Sequence, residues 1–152
     1  LMLTVAIIGI VGAIGAGILI QVTRFIQLSQ TRIDLQREAR AIFSIINRNL
    51  RQATTSSIQI DQASGQPYYS RIRFTCVDGK TFTFYQNNQK LIMQTTGGAQ
   101  TLSDNLRYLV FACPKSEDLS IISVSMTLEK SIYEKGKKAL HMASEKVMIM
   151  NE

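Results

Sequence analysis

Few side chains in this 152-residue chain could do covalent or metal chemistry. The soft ligands and strong nucleophiles are Cys76, Cys113 and His141. Neither cysteine belongs to a Cys-x-x-Cys pair, and with His141 as the one imidazole no zinc site is expected. His141 stands in an alternating stretch, where a structural role is expected. No serine or cysteine has a Gly-x-Ser-x-Gly context. Gly136, Lys137 and Lys138 lack the upstream glycine of a phosphate loop. Asp61, Asp104 and Asp118 are scattered turn acids, not a spaced calcium loop. The residues therefore predict no catalytic group, no cofactor and no metal, and a binding or structural protein rather than an enzyme. The chemistry left to the cysteines is with each other. In a domain exported across a membrane, Cys76 and Cys113 predict one disulfide; two buried free thiols are the other reading.

Charge gives a second set of candidates. The formal net charge is +6. Arg24, Arg32, Arg37, Arg40, Arg48 and Arg51 face only Asp34 and Glu38 over residues 21–53, and Lys135, Lys137 and Lys138 form a second basic group. A solvated helix face and loop is the plain reading. The sharper ones are anionic lipid headgroups near Arg24, or a polyanion such as DNA contacted by Lys135, Lys137 and Lys138. Aromatic residues do not interleave with these charges as a single-strand-binding surface requires.

The element that must position these residues comes first in the chain. Among residues 1–20, Thr4 is the sole polar side chain. At about 1.5 Å per residue such a helix is roughly 30 Å long, enough to cross a bilayer core. A signal peptide fits poorly: there is no basic n-region and no Ala-x-Ala site before Gln21, and the run is expected to begin upstream of Leu1. No Pro or Gly occurs over residues 21–53, and Leu28, Leu35, Ala39, Ile42, Ile46, Leu50 and Ala53 recur on one helical face. One long helix is predicted, wholly apolar at first (residues 1–20), then amphipathic (residues 21–53). Gly9, Gly12, Gly15 and Gly17 each cost up to about 1 kcal/mol of helix propensity. Gly9, Ala13 and Gly17 make a small-xxx-small ladder suited to close helix approach. The cluster also predicts a stretch of irregular or extended backbone somewhere over residues 9–17 when the helix packs in a fibre.

From residue 54 the period changes to two. Ile72, Phe74 and Cys76 share one face, Asp78 and Gly79 make a hairpin turn, Phe82 and Phe84 follow, Asn87 and Asn88 turn again, and Leu91 and Met93 complete a meander. Residues 101–105 read as a loop. Residues 106–113 read as a strand apolar on both faces, hence central. Ile122, Val124, Met126 and Leu128 alternate with polar neighbours, residues 133–138 form a charged tip, and residues 140–150 a last strand broken or bulged near Ser144. Residues 54–152 thus form a β-sheet head, and one helix followed by strands is an α+β layout with the helix covering a sheet face.

The opening Leu-Met-Leu-Thr-Val-Ala-Ile-Ile-Gly-Ile of residues 1–10 resembles the start of a mature type IV pilin or type II secretion pseudopilin, entered late. The family's methylated first residue and its Glu would precede Leu1, so no residue here takes that Glu's part. Leu-Arg-Gln-Ala at residues 50–53 resembles the end of the pseudopilin helix. Asn-Gln-Lys-Leu at 88–91 and Leu-Ser-Asp-Asn-Leu at 102–106 resemble signatures of the larger J-type pseudopilins and related minor pilins. The resemblance implies a lollipop subunit of a helical filament, partnered by copies of itself or homologous pilins. It implies a bacterial inner-membrane location before assembly and a periplasmic or extracellular fibre afterwards, with a prepilin peptidase and assembly machinery as further partners. Leu1, Leu3, Val5, Ile7, Ile8, Gly9, Val11, Gly12, Ile14, Gly15, Gly17 and Ile18 would then line membrane and filament core. Leu28, Leu35, Ala39, Ile42, Ile46 and Leu50 would seat the helix on its sheet and its neighbours. The rival class is a single-pass anchored binding domain, for DNA uptake or a ligand, that acts without polymerising.

Overall fold

A long run without proline forms one helix, α1 (Met2–Arg51). The computed structural model describes the backbone of residues 2–115, 118–132 and 136–151, and within residues 2–16 the surroundings of Thr4, Gly9 and Gly15 alone. In the single chain α1 is unbroken, so the irregular stretch expected over residues 9–17 is absent here. The physical reason is hydrogen bonding. Each glycine weakens the helix by up to about 1 kcal/mol, but a stretched segment without close neighbours would leave its N–H and C=O groups unpaired. Arg48 and Arg51 occupy the last turn, where cations complement the helix dipole.

The strands that follow make two antiparallel sheets rather than one. The first is a five-stranded meander of β1 (Gln59–Asp61), β2 (Arg71–Thr75), β3 (Thr81–Asn87), β4 (Lys90–Thr95) and β5 (Gly98–Ser103). The second has β7 (Ile121–Ser131) between β6 (Leu106–Ala112) and β8 (Lys138–Met148). The β2–β3 turn uses Gly79 at φ 80°, and the tight β3–β4 turn uses Asn88 at φ 53°, a left-handed conformation that asparagine tolerates. Three sequence-based expectations change. Residues 101–103 are not a loop: Thr101 pairs with Ile92, and Ser103 with Leu91, as part of β5, and only Asp104 and Asn105 make the expected turn before β6. β6 is an outer strand of its sheet, not a central one. β8 pairs with β7 in unbroken register past Ser144, so no bulge occurs there.

The core lies between α1 and the sheets. Leu35, Ala39, Ile42, Phe43, Ile46 and Leu50 are buried along one helix face, and α1 packs chiefly on β8 and β7. Facing them are the buried Ile122, Val124, Met126, Leu128 and Val147. Phe74, Phe84 and Leu91 extend the same cluster into the larger sheet. Each such side chain contributes about 1.5–3 kcal/mol on burial, so this face is what fixes the helix to the head.

One buried glutamine joins the two sheets. Gln86, 3% exposed, lies at the end of β3 beside β6. Its amide nitrogen donates to Asn88 O (2.8 Å) and Arg107 O (2.9 Å), and its oxygen accepts from Leu109 N (3.0 Å). With Phe111 N donating to Tyr69 O at 2.9 Å, these bonds satisfy backbone groups that an outer strand would otherwise expose. A register shift at Arg107 turns both Arg107 and Tyr108 outward, away from buried Leu106 and Leu109.

Candidate functional site

Among the described residues the acids lie in separate turns and hairpins. Asp61 pairs with Arg71 through two bonds of 2.5 and 2.6 Å, and that pairing holds its carboxyl below the usual range. Asp104 faces Lys90 at 3.5 Å. Asp118 accepts from Ser120 N at 2.9 Å, and the Ser120 side chain first, with that N–H beside it, holds its carboxyl below the usual range. Each acid thus serves its own turn or hairpin. Glu129 lies in an ion-pair clip: Lys138 bonds one carboxylate oxygen and Arg107 the other, the latter at 2.5 Å. Lys138 first, and Arg107 with it, hold the Glu129 carboxyl below its ordinary value. The clip ties β6, β7 and β8 across the sheet. Among the described residues no group of three or more His, Cys, Asp or Glu is placed to hold a metal ion.

Cys76 and Cys113 are not bonded to each other; both are free thiols. Cys76 follows β2 in the larger sheet, buried, with its sulfur 3.6 Å from Asn49 O. Cys113 follows β6 in the smaller sheet. The expected disulfide is thus absent: Cys76 is joined by a backbone β-bridge to Ala53 just after α1, and Cys113 stands at the end of the smaller sheet's outer strand. Burial pushes both thiols up, so neither has the thiolate character of a reactive cysteine.

What the fold leaves without an in-chain partner is apolar surface. On α1, Ile18, Leu19, Ile20, Val22, Phe25, Ile26 and Ile33 are exposed. Leu19, Ile26 and Ile33 are spaced by seven and Val22 by three or four from Leu19 and Ile26, so they stack on one helix face. The head begins to cover α1 only at Leu28, which is half-buried, and full burial starts at Leu35. The exposed turns from Gly17 to Leu28 run for roughly 16 Å at about 1.5 Å per residue. Gly9 and Gly17 are exposed, and a Cβ added at Gly9, Gly15 or Gly17 would meet nothing within 4 Å. No close contact inside the chain makes use of the missing side chains. A second apolar surface lies on the outward face of β8, where Leu140, Met142 and Met148 are exposed, with Met150 just beyond.

Of the residues singled out for membrane or filament core, Leu1 lies outside the described residues. Leu3, Val5, Ile7, Ile8, Val11, Gly12 and Ile14 are helical, but their surroundings lie outside the described set. Among the described residues no helix is long and apolar enough to cross a membrane; the expectation for residues 1–20 falls largely on side chains outside that set. Of the polyanion candidates, Lys135 is likewise outside it, whereas Lys137 and Lys138 are exposed at the start of β8 beside α1. Phe43 is a packing residue the stripe of residues 35, 39, 42, 46 and 50 omitted; its place four residues after Ala39 was the available signal. Comparison with protein-family models, with curated proteins and with solved structures finds no match.

Proposed function

We propose that this chain is a structural subunit of a type IV pilus-like or type II secretion filament. Its apolar helix anchors it in the inner membrane before assembly and packs between copies in the fibre afterwards. The observation that carries the reading is the division of α1: residues 35–50 are seated on the head, while Ile18, Leu19, Ile20, Val22, Phe25, Ile26 and Ile33 stay exposed among the described residues. Large exposed apolar patches on a folded chain call for a partner or a membrane. An open helical polymer needs two different surfaces per subunit, one for each neighbour, and the helix face and the outward face of β8 supply two. Lipid and neighbouring helices are both apolar surroundings, so the same segment suits both stages, and small residues permit close approach in the second. The opening residues 1–10 and the Leu-Arg-Gln-Ala at 50–53 add the family resemblance.

The test is assembly. Negative-stain microscopy of sheared surface material, with antibody to this chain, is expected to show it along thin fibres. Ile8→Asp or Val11→Asp is expected to abolish them, since a charge at the centre of an apolar helix costs about 2.5–3.5 kcal/mol on insertion. Normal fibres from either variant would refute the filament-core role. A wild-type chain present in membranes but absent from every fibre would favour an anchored binding domain.

A further inference from the structure

The polar end of the apolar helix does not stand alone. Where α1 leaves its apolar stretch, the mouth of the β7–β8 hairpin lies against it and the two enclose a cleft of about 330 Å³. Its floor is apolar, made by Phe25, Leu28 and Ile132. Its rim is cationic: Arg24 and Arg32 come from the helix, Lys137 and Lys138 from the hairpin. No acid lines it. Arg24, Leu28 and Arg32 are spaced by four, so they form a row along one helix face. The hairpin side is fixed by Ile132 N donating to Lys137 O at 3.0 Å, and Lys138 is held by Glu129.

We infer that this cleft seats the headgroup of an anionic phospholipid. The inference rests on the membrane-anchor reading above, and it names the lipid class that the anchored subunit prefers. Depth is the first argument. Arg24 lies four residues beyond Ile20, about 6 Å along the axis. The polar layer on each side of a bilayer core is about 5–8 Å thick, so Arg24 and Phe25 fall within it when residues 1–20 span the core. Charge is the second: a phosphodiester anion meets cations from two elements at once. Shape is the third. The apolar floor accommodates glycerol and the first acyl carbons, which a DNA backbone does not have, and among the described lining residues Phe25 is a single aromatic where a single strand needs a series. The head would thereby rest its β7–β8 edge on the membrane surface beside its own anchor.

The experiment uses the full chain reconstituted in vesicles of phosphatidylglycerol and phosphatidylcholine, each lipid offered in turn as a trace photo-cross-linking analogue. Flotation first establishes that the chain stays with the vesicles. The expected result is preferential cross-linking to phosphatidylglycerol, mapping to the peptides that contain Phe25 and Ile132. Lys137→Gln and Arg32→Gln are each expected to lower that preference about fivefold, the effect of one basic residue at a charged membrane surface. Circular dichroism checks that both variants fold; the exposed Lys137 is the milder change. Equal cross-linking to the two lipids by a chain that floats overturns the inference and leaves the anchor reading intact. A chain that does not float overturns both. Loss of the preference on adding inorganic phosphate at matched ionic strength, or displacement of the lipid by a DNA duplex, also overturns it in favour of another anion.

Discussion

Phe25 and Phe43 lie about five turns apart on one uninterrupted helix, yet the first is 69% exposed and the second 3%. Their backbone conformation and side-chain chemistry are the same, so only the surroundings differ. Around Phe43 the apolar stripe widens to residues 35, 39, 42, 43, 46 and 50, and the strands of the head fill every position against it. Around Phe25 the apolar residues are as dense, but among the described residues they meet only the hairpin mouth at Ile132, Lys137 and Lys138. Secondary structure therefore does not set the role of a stretch of helix. The seated half is covered by the fold, and the apolar side chains around Phe25 are left exposed by it.

The sharpest way to break this contrast is to truncate both aromatics. Phe43→Ala is expected to cost about 3–5 kcal/mol of head stability, because it removes a buried ring and leaves a cavity. Phe25→Ala is expected to change it by less than about 0.5 kcal/mol, as exposed substitutions do. Urea unfolding of the full chain in detergent, followed through the signal of the head, measures both. Equal losses would mean that the exposed stretch contributes to the fold after all.

The next effect tests how the seated head is joined. Gln86→Leu keeps the volume but leaves Leu109 N and Arg107 O without their partners. The expected cost is about 1–3 kcal/mol, that of orphaned buried polar groups. The amide of Leu109 is expected to exchange faster with deuterium, whereas unchanged exchange would show that the sheets join without it.

A smaller effect concerns the Glu129 clip. Its folded pKa is lowered by Lys138 and Arg107, so its contribution is fully present above the unfolded value near 4.5 and is lost as pH falls through the folded value. Glu129→Gln is expected to flatten the stability profile in that acidic range. At neutral pH it is expected to remove less than about 1 kcal/mol, since Arg107 and Lys138 are substantially exposed. A profile as steep as that of the wild type would assign the acid sensitivity elsewhere. The smallest expected effect is none: alkylation of the unfolded, unreduced chain is expected to modify both Cys76 and Cys113, with no gain on adding reductant.

The helix was legible because both of its signals are dense. An apolar run and a three-and-four repeat without Pro or Gly over residues 21–53 leave few other readings. The alternation of Ile122 to Leu128 was legible for the same reason, since one face of β7 is buried and the other is not. β5 was not, because four of its six residues are exposed and it is held by backbone pairing to β4, which leaves no pattern in side chains. The outer position of β6 was hidden by Gln86, a polar residue that closes its edge from another sheet. The cysteine pairing was not legible either, since spacing along a chain does not say which strands end beside one another. Of the candidate helix surface, Ile18, Leu19 and Ile20 lie in the apolar run, whereas Val22, Phe25, Ile26 and Ile33 lie beyond it, on a face that the repeat of residues 28–53 did not mark. The cleft was not, because it needs Ile132, Lys137 and Lys138 brought beside Arg24 and Arg32 from the far end of the chain.

The central claim is that the exposed stretch of α1 packs against other copies. A map of sheared fibres by electron cryomicroscopy, at a resolution that traces the backbone, tests it most directly. The account predicts that residues 1–33 lie along the fibre axis against the same residues of neighbouring subunits, with Leu19, Ile26 and Ile33 at those contacts and the β-sheet head outside. Fibres in which this segment lies on the outer surface, or fibres that do not contain this chain, would contradict it.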